Sequence, residues 1–269
     1  MQATIETAAT DAVVMAMRQR ERDFLQRRAP GATPATPEQV AAMVDYWAAV
    51  FAQPMRQPNA LAMVRQTAQE MDYSIARRKV WSLLQLRAAH IETIENRPFE
   101  WIFNDAEKAN LQNLIRYFIN DPACAWPLGK GLFCYGPPGT GKTEMMQVME
   151  RFTKENDLTK AFRYGSLSEI HVKAKAEKDS DPVTPNVQYD RCFDEVGRYV
   201  GPIMRFGDAL DINEAIIEGR YDRNRRYGQL THFVANATPN EMQETFSPMI
   251  FDRFRSMCTA VLFLGQSKR

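Results

Sequence analysis

Gly136-Pro137-Pro138-Gly139-Thr140-Gly141-Lys142-Thr143 is a glycine-rich octapeptide that ends in Lys-Thr. Before it runs a short apolar segment, Gly131-Leu132-Phe133-Cys134-Tyr135, which reads as a buried strand. After it comes a helical stretch from Glu144 to Phe152. Strand, glycine loop, helix is the context in which such an octapeptide binds phosphate. Gly136, Gly139 and Gly141 let the backbone bend until its N–H groups converge on one anion. The helix that starts there adds the positive end of its dipole. Lys142 is long enough to reach β- and γ-phosphates, and the Thr143 hydroxyl is a ligand for Mg²⁺.

Outward from the loop, the chain beyond Phe99 alternates helices with short apolar runs. The expected strands are Leu132–Tyr135, Ala161–Tyr164, Tyr189–Phe193, His232–Ala235 and Ala260–Leu264. That alternation predicts an α/β fold, a parallel sheet with helices on both faces. Lys173 to Val187 is polar and contains proline, so it reads as an exposed loop.

Two acidic residues, Asp194-Glu195, close the third expected strand about fifty residues beyond Lys142. In a phosphate-loop protein Asp194 would hold a water on Mg²⁺, and Glu195 would act as general base on the attacking water. The strand before them, Tyr189-Asp190-Arg191-Cys192-Phe193, is more polar than a central strand should be. Thr231 to Asn236 is a strand ending in a polar residue. Asn236 can hydrogen-bond water and γ-phosphate, although Asn-Ala-Thr-Pro is equally good as a turn. In Phe251-Asp252-Arg253-Phe254-Arg255, just before the last strand, Arg253 is placed to reach a nucleotide on a neighbouring subunit. The alternative is an Asp–Arg surface pair.

The first hundred residues read as helices. One spans about residues 11–28. A second starts at Thr36-Pro37-Glu38-Gln39, a capping box with proline at the first helical position, and carries Val40, Met43, Val44, Trp47, Ala48 and Phe51 on one face. Further helices are expected over Ala60–Met71 and from Ser74 to about Ile94. Asn96-Arg97-Pro98 marks a boundary, dividing the chain into a helical partner-binding region, 1–98, and a nucleotide-binding domain, 99–269.

In this order the motifs resemble those of the DnaC-type helicase loaders and the related IstB-type transposition ATPases, both in the initiator branch of AAA+ proteins. The resemblance covers roughly Phe99 to Arg269. It rests on the glycine loop, on Asp194-Glu195-Val196-Gly197, on Ile216-Ile217-Glu218-Gly219-Arg220-Tyr221-Asp222, on Phe233 to Pro239 as a sensor 1 element, and on Asp252-Arg253 as a finger motif. The terminal Gly265-Gln266-Ser267-Lys268-Arg269 is similar to the family's last motif, which makes Arg269 the expected sensor 2 arginine. The resemblance implies ATP with Mg²⁺ as cofactors, ATP hydrolysis, and a sheet without the C-terminal helical lid. A neighbouring subunit would then cover the nucleotide, so self-association through the ATP sites is expected.

The function it implies is ATP-dependent loading of a replicative helicase through the N-terminal helices, with slow hydrolysis as a release timer. The second reading is a transposition helper that binds DNA and recruits a transposase. Helices over 60–71 and 74–86 would then form a helix-turn-helix, with Arg77, Arg78 and Lys79 near the start of the second. Trp81, Leu83, Leu84 and Leu86 favour a packed helical bundle instead. A small-molecule kinase is disfavoured by the finger and sensor elements. The cluster Arg223-Asn224-Arg225-Arg226 fits solvated charge or contact with single-stranded DNA.

Composition narrows the classes further. The 269 residues are 45% hydrophobic and 25% charged, with a net charge of +1, so nucleic-acid contact must come from local patches. No apolar run is long enough to cross a membrane, and Met1 to Asp11 lacks the features of a secretory signal. The cysteines, Cys124, Cys134, Cys192 and Cys258, and the histidines, His90, His171 and His232, lack zinc-ligand spacing. Cys134 and Cys192 read as small hydrophobes on central strands, which suits a reducing cytoplasm.

Overall fold

A computed structural model describes residues 69–177, 180–198, 201–205, 208–264 and 268. The helices expected over 11–28 and 36–51, most of the one over 60–71, and Arg269 lie outside these residues.

The glycine loop follows β1 (Gly131–Tyr135), whose five residues are all buried. The other strands of its sheet are β2 (Arg163–Ser166), β3 (Arg191–Asp194), β6 (Thr231–Ala235) and β7 (Cys258–Leu262). Their order is β2-β3-β6-β1-β7, and every pairing is parallel. The sheet is therefore buried on both faces, as parallel crossovers demand. A two-stranded antiparallel hairpin, β4 (Ile203–Arg205) and β5 (Asp208–Leu210), stands apart from it.

Strand alternation sends Leu132 and Cys134 to one face and Phe133 and Tyr135 to the other. On the first face Leu132, Cys134, Cys192, Val234 and Val261 meet Met145, Met149 and Phe152 of α3 (Lys142–Glu155) and Leu114, Ile115 and Phe118 of α2 (Asp105–Phe118). On the second face the register aligns Phe133 with Phe233 and Phe193 with Phe233. Phe254, from α8 (Pro248–Met257), stands edge-on to Phe233 at 4.7 Å. Ile212, Ile216 and Ile217 of α6 (Ile212–Tyr227) complete that layer. Each such buried side chain contributes about 1.5–3 kcal/mol of transfer free energy.

The first helix among the described residues, α1 (Tyr73–Glu95), is capped by Asp72, whose Oδ1 accepts the Ser74 and Ile75 N–H groups at 2.8 and 3.2 Å. Its Ala76, Val80, Leu83 and Leu84 are buried in the same core as α3. The Glu70 carboxylate accepts the Thr159 N–H at 2.8 Å. The cut at Asn96-Arg97-Pro98 thus runs through a shared core.

Several expected boundaries shift. β2 starts at Arg163 rather than Ala161, and β7 spans Cys258–Leu262 rather than Ala260–Leu264. β3 starts at Arg191, so Tyr189 and Asp190 fall outside the strand while Arg191 stays within it. Tyr189 is exposed at φ 61°, and Asp190 turns its carboxylate to the Leu230 N–H at 3.0 Å. The stretch 173–187, expected as a loop, holds the end of α4 (Leu167–Ala176) and a single turn, α5 (Thr184–Val187). Lysines in the last turn of α4 favour the helix end, an effect that overall polarity conceals. On α1 Leu83 and Leu84 are buried, whereas Trp81 and Leu86 are exposed.

Candidate nucleotide site

Gly136 leaves β1 at φ 142°, and a Cβ there would lie 2.4 Å from the Phe263 carbonyl oxygen. Only glycine lets the loop pass so close beneath the exit of β7. Gly141 caps α3 at φ 83° with no side-chain cap, which leaves the helix's first N–H groups directed into the loop. Lys142 is buried; its Nζ donates to Gly136 O at 2.9 Å, Pro137 O at 2.7 Å and Thr140 Oγ1 at 3.3 Å. The Thr140 hydroxyl itself donates to Pro137 O at 3.0 Å. With Pro138 and Gly139 completing the turn, the loop folds around its own ammonium group.

Thr143, on the first turn of α3, donates its hydroxyl to Asp194 Oδ2 at 2.6 Å. The other Asp194 oxygen accepts the Glu195 N–H at 2.6 Å. Glu195 turns out of the strand at φ 56°, a left-handed conformation that costs a non-glycine residue about 1 kcal/mol or more. Its Oε2 accepts the Ser166 hydroxyl at 2.8 Å, and Arg198 pairs with Oε1. Burial pushes the Glu195 carboxyl up, but the Ser166 and Arg198 hydrogen bonds outweigh it and hold it below the ordinary value. It is ionised at neutral pH, as a proton acceptor must be.

A cavity of about 170 Å³ opens over the loop, lined by Gly139, Gly141, Lys142, Thr143 and Asn236 on one side. Its other wall is aromatic and comes from the chain just before α2. Phe99 meets Trp101 edge-on at 5.2 Å, and Trp101 anchors its Nε1 on Leu84 O at 2.8 Å. Lys268 closes a third side. Its backbone N–H donates to Gly139 O at 2.9 Å, and its Nζ donates to Glu107 Oε1 at 2.6 Å and Ile102 O at 2.9 Å.

Asn236 is exposed at the end of β6 and reaches this cavity. Arg253 does not line it; from α8 it pairs with Glu218 and lies 5.4 Å from the Tyr221 ring centroid, both on α6. Arg220 is fully buried, donating to Thr231 Oγ1 at 2.8 Å, Val187 O at 2.9 Å and Leu230 O at 2.5 Å. Burial pushes its guanidinium down to about 10, still charged at neutral pH. It ties α6 to β6 and serves the scaffold.

The donor set suits a hard cation and a polyphosphate. Thr143 and Asp194 offer oxygen at the positive end of α3, and Lys142 offers a compact charge. Among the described residues no cluster of three His, Cys, Asp or Glu could hold a metal by itself. A divalent cation here would take its remaining ligands from phosphate and water, as Mg²⁺ does.

Sequence reading did not single out Ser166, Phe99, Trp101 or Lys268 for this site, nor Tyr164, whose hydroxyl donates to Asp194 Oδ2. The alternation Phe99-Glu100-Trp101-Ile102-Phe103 before the Asn104 capping box was the available signal for the aromatic wall.

No family model matches the chain, and no curated protein matches it. Among solved structures it is similar to a proposed primosome component from Streptococcus pyogenes serotype M3, at 12% identity and a TM-score of 0.49 over 64% of this chain and 86% of that one. It is similar to DnaI at 14% identity and a TM-score of 0.46, over 63% and 88% of the two chains. A third structure, the DnaC helicase loader, aligns at 13% identity and a TM-score of 0.42, over 61% and 93%. Identities this low leave the chemistry to be argued from the residues.

Proposed function

We propose that this chain is a P-loop ATPase of the AAA+ initiator kind that assembles on ATP and loads a replicative helicase. The observation that carries the ATPase reading is the Thr143–Asp194 hydrogen bond beside the Lys142 loop, with Glu195 the next residue in the chain. The loop N–H groups and Lys142 bind the β- and γ-phosphates. Thr143 and Asp194 would hold Mg²⁺, and the bound ion would offset the phosphate charge. Glu195, kept ionised and oriented by Ser166, takes the proton of the attacking water. Asn236, at the cavity edge, orients that water. Phe99 and Trp101 offer flat surface to a base.

Arg253 acts on the nucleotide of a neighbouring subunit, and Arg269 serves as sensor 2. The N-terminal region, 1–98, recognises the helicase, and single-stranded DNA contacts the assembled form through Arg223, Arg225 and Arg226. The reading places the protein in the cytoplasm.

The test is capture of the replicative helicase of the native host by the Glu195→Gln protein, with and without ATP. The account expects ATP-dependent capture by the full chain and its loss when residues 1–68 are removed, a cut that spares the shared core. A second reading, a transposition helper that binds DNA, is favoured by one feature: Arg77 and Arg78 are exposed on the first turns of α1. Retention of double-stranded DNA without helicase capture would select it.

A further inference from the structure

We propose that Tyr164 is a positioning residue for Asp194, the carboxylate of the proposed metal site. The inference rests on the phosphate-loop reading of Thr143 and Asp194. On the edge strand β2 the register pairs Tyr164 with Cys192 and Ser166 with Asp194. Tyr164 is therefore the diagonal neighbour of Asp194 on the same face of the sheet, within reach of a long side chain.

The Tyr164 hydroxyl donates to Asp194 Oδ2, the oxygen that also accepts the Thr143 hydroxyl at 2.6 Å. Asp194 Oδ1 is held by the Glu195 N–H at 2.6 Å. Both carboxylate oxygens are thus fixed from the protein side. Thr143 can ligate a cation through a lone pair while its O–H still donates to Oδ2. Tyr164 supplies the second donor that keeps that oxygen aimed.

The competing explanation is that Tyr164 only packs its ring against the core, where it is partly buried. Tyr164→Phe separates the two, since it keeps the ring and removes the hydroxyl.

The experiment titrates Mn²⁺ into the full-length protein with a non-hydrolysable ATP analogue, reading free Mn²⁺ by electron paramagnetic resonance. Wild type, Tyr164→Phe and Thr143→Ala are compared, with melting of each protein without nucleotide. Outer partners of metal ligands typically carry about 10–100-fold in metal affinity. The expected result is Mn²⁺ affinity about 10-fold weaker in Tyr164→Phe, at unchanged metal-free nucleotide affinity and unchanged melting. Wild-type Mn²⁺ affinity in Tyr164→Phe, with affinity lost in Thr143→Ala, overturns the role of Tyr164 and leaves the phosphate loop intact. Wild-type affinity in Thr143→Ala overturns the metal site itself. Wild-type melting and Mn²⁺ affinity in Tyr164→Phe, with both lost in Tyr164→Leu, overturn the inference in favour of ring packing.

Discussion

The Ser166 hydroxyl donates to Glu195 Oε2 at 2.8 Å across the β2–β3 edge of the sheet. This bond joins the acidic residue that follows β3 to a hydroxyl that also caps α4, accepting the Glu169 N–H at 3.2 Å. A residue that caps a helix cannot rotate freely, so the carboxylate is aimed by the scaffold. Ser166→Ala should lower the ATP turnover number about 10-fold with little change in KM, the pattern of an interaction needed only in the reacting state. The same variant should cost about 1 kcal/mol of stability through the lost cap. Turnover equal to wild type in a steady-state assay would show that Glu195 needs no such support.

Replacing Glu195 by Gln removes the proton acceptor while keeping its shape. Hydrolysis should fall about 10²–10⁴-fold with ATP still bound. A phosphate-release assay and a filter-binding measurement on the same preparation check the two halves. Wild-type hydrolysis would remove Glu195 from the chemistry.

Arg253 pairs with Glu218 within its own chain and lies off the cavity. Arg253→Ala should bind ATP as wild type does yet turn it over slowly. Mixing it with Lys142→Ala should restore activity, because one chain offers the pocket and the other the guanidinium. Light scattering that shows mixed assemblies, with no recovered turnover at any ratio, would place Arg253 in its own chain's structure instead.

His232 is fully buried on β6 and accepts the Leu132 N–H at Nδ1, 3.1 Å away. Burial, with help from Lys160 and Arg220, pushes its imidazole down to about 3. An unfolded chain would protonate it near 6.5. Between these values the unfolded state binds the extra proton, so stability falls as pH drops from about 6.5 toward 3. The slope for this one group reaches about 1.4 kcal/mol per pH unit. Urea unfolding at pH 7 and pH 5 should show a loss of about 2 kcal/mol that His232→Asn does not share. Parallel pH profiles for the two proteins would contradict the assignment.

The shared core of α1 and α3 makes a prediction about truncation. A chain beginning at residue 69 should fold and bind nucleotide. A chain beginning at residue 99 loses Val80, Leu83 and Leu84 from the interior, at about 2–5 kcal/mol for each leucine-sized loss. It should melt far lower or aggregate. Equal melting temperatures for the two fragments would show that α1 is an independent element.

The legible parts of the sequence were those where backbone chemistry leaves few options. Glycines at 136, 139 and 141 admit the positive φ values found there, and the apolar run of β1 can only be buried. Elements defined by distant partners were not legible. Lys268 reaches Ile102 across 166 residues, and no local pattern announces that contact. Tyr164 and Ser166 lie on a strand expected over Ala161–Tyr164, but nothing in its composition shows that their hydroxyls face an acidic pair. The hairpin β4–β5 has strands of three residues, too short for an alternation to register. The division expected at Pro98 falls in the segment between α1 and α2, and Leu84 and Trp101 meet across it.

ATP binding by the Lys142 loop underlies every role proposed above. Calorimetric titration of ATP with Mg²⁺ into wild type and Lys142→Ala tests it. Lys142 contacts its own loop, so the variant should melt within a few degrees of wild type. Loss of one or two charge-assisted hydrogen bonds, at about 1.5–3 kcal/mol each, should weaken ATP binding about 10²-fold or more. Equal ATP affinity in the two folded proteins would contradict the account.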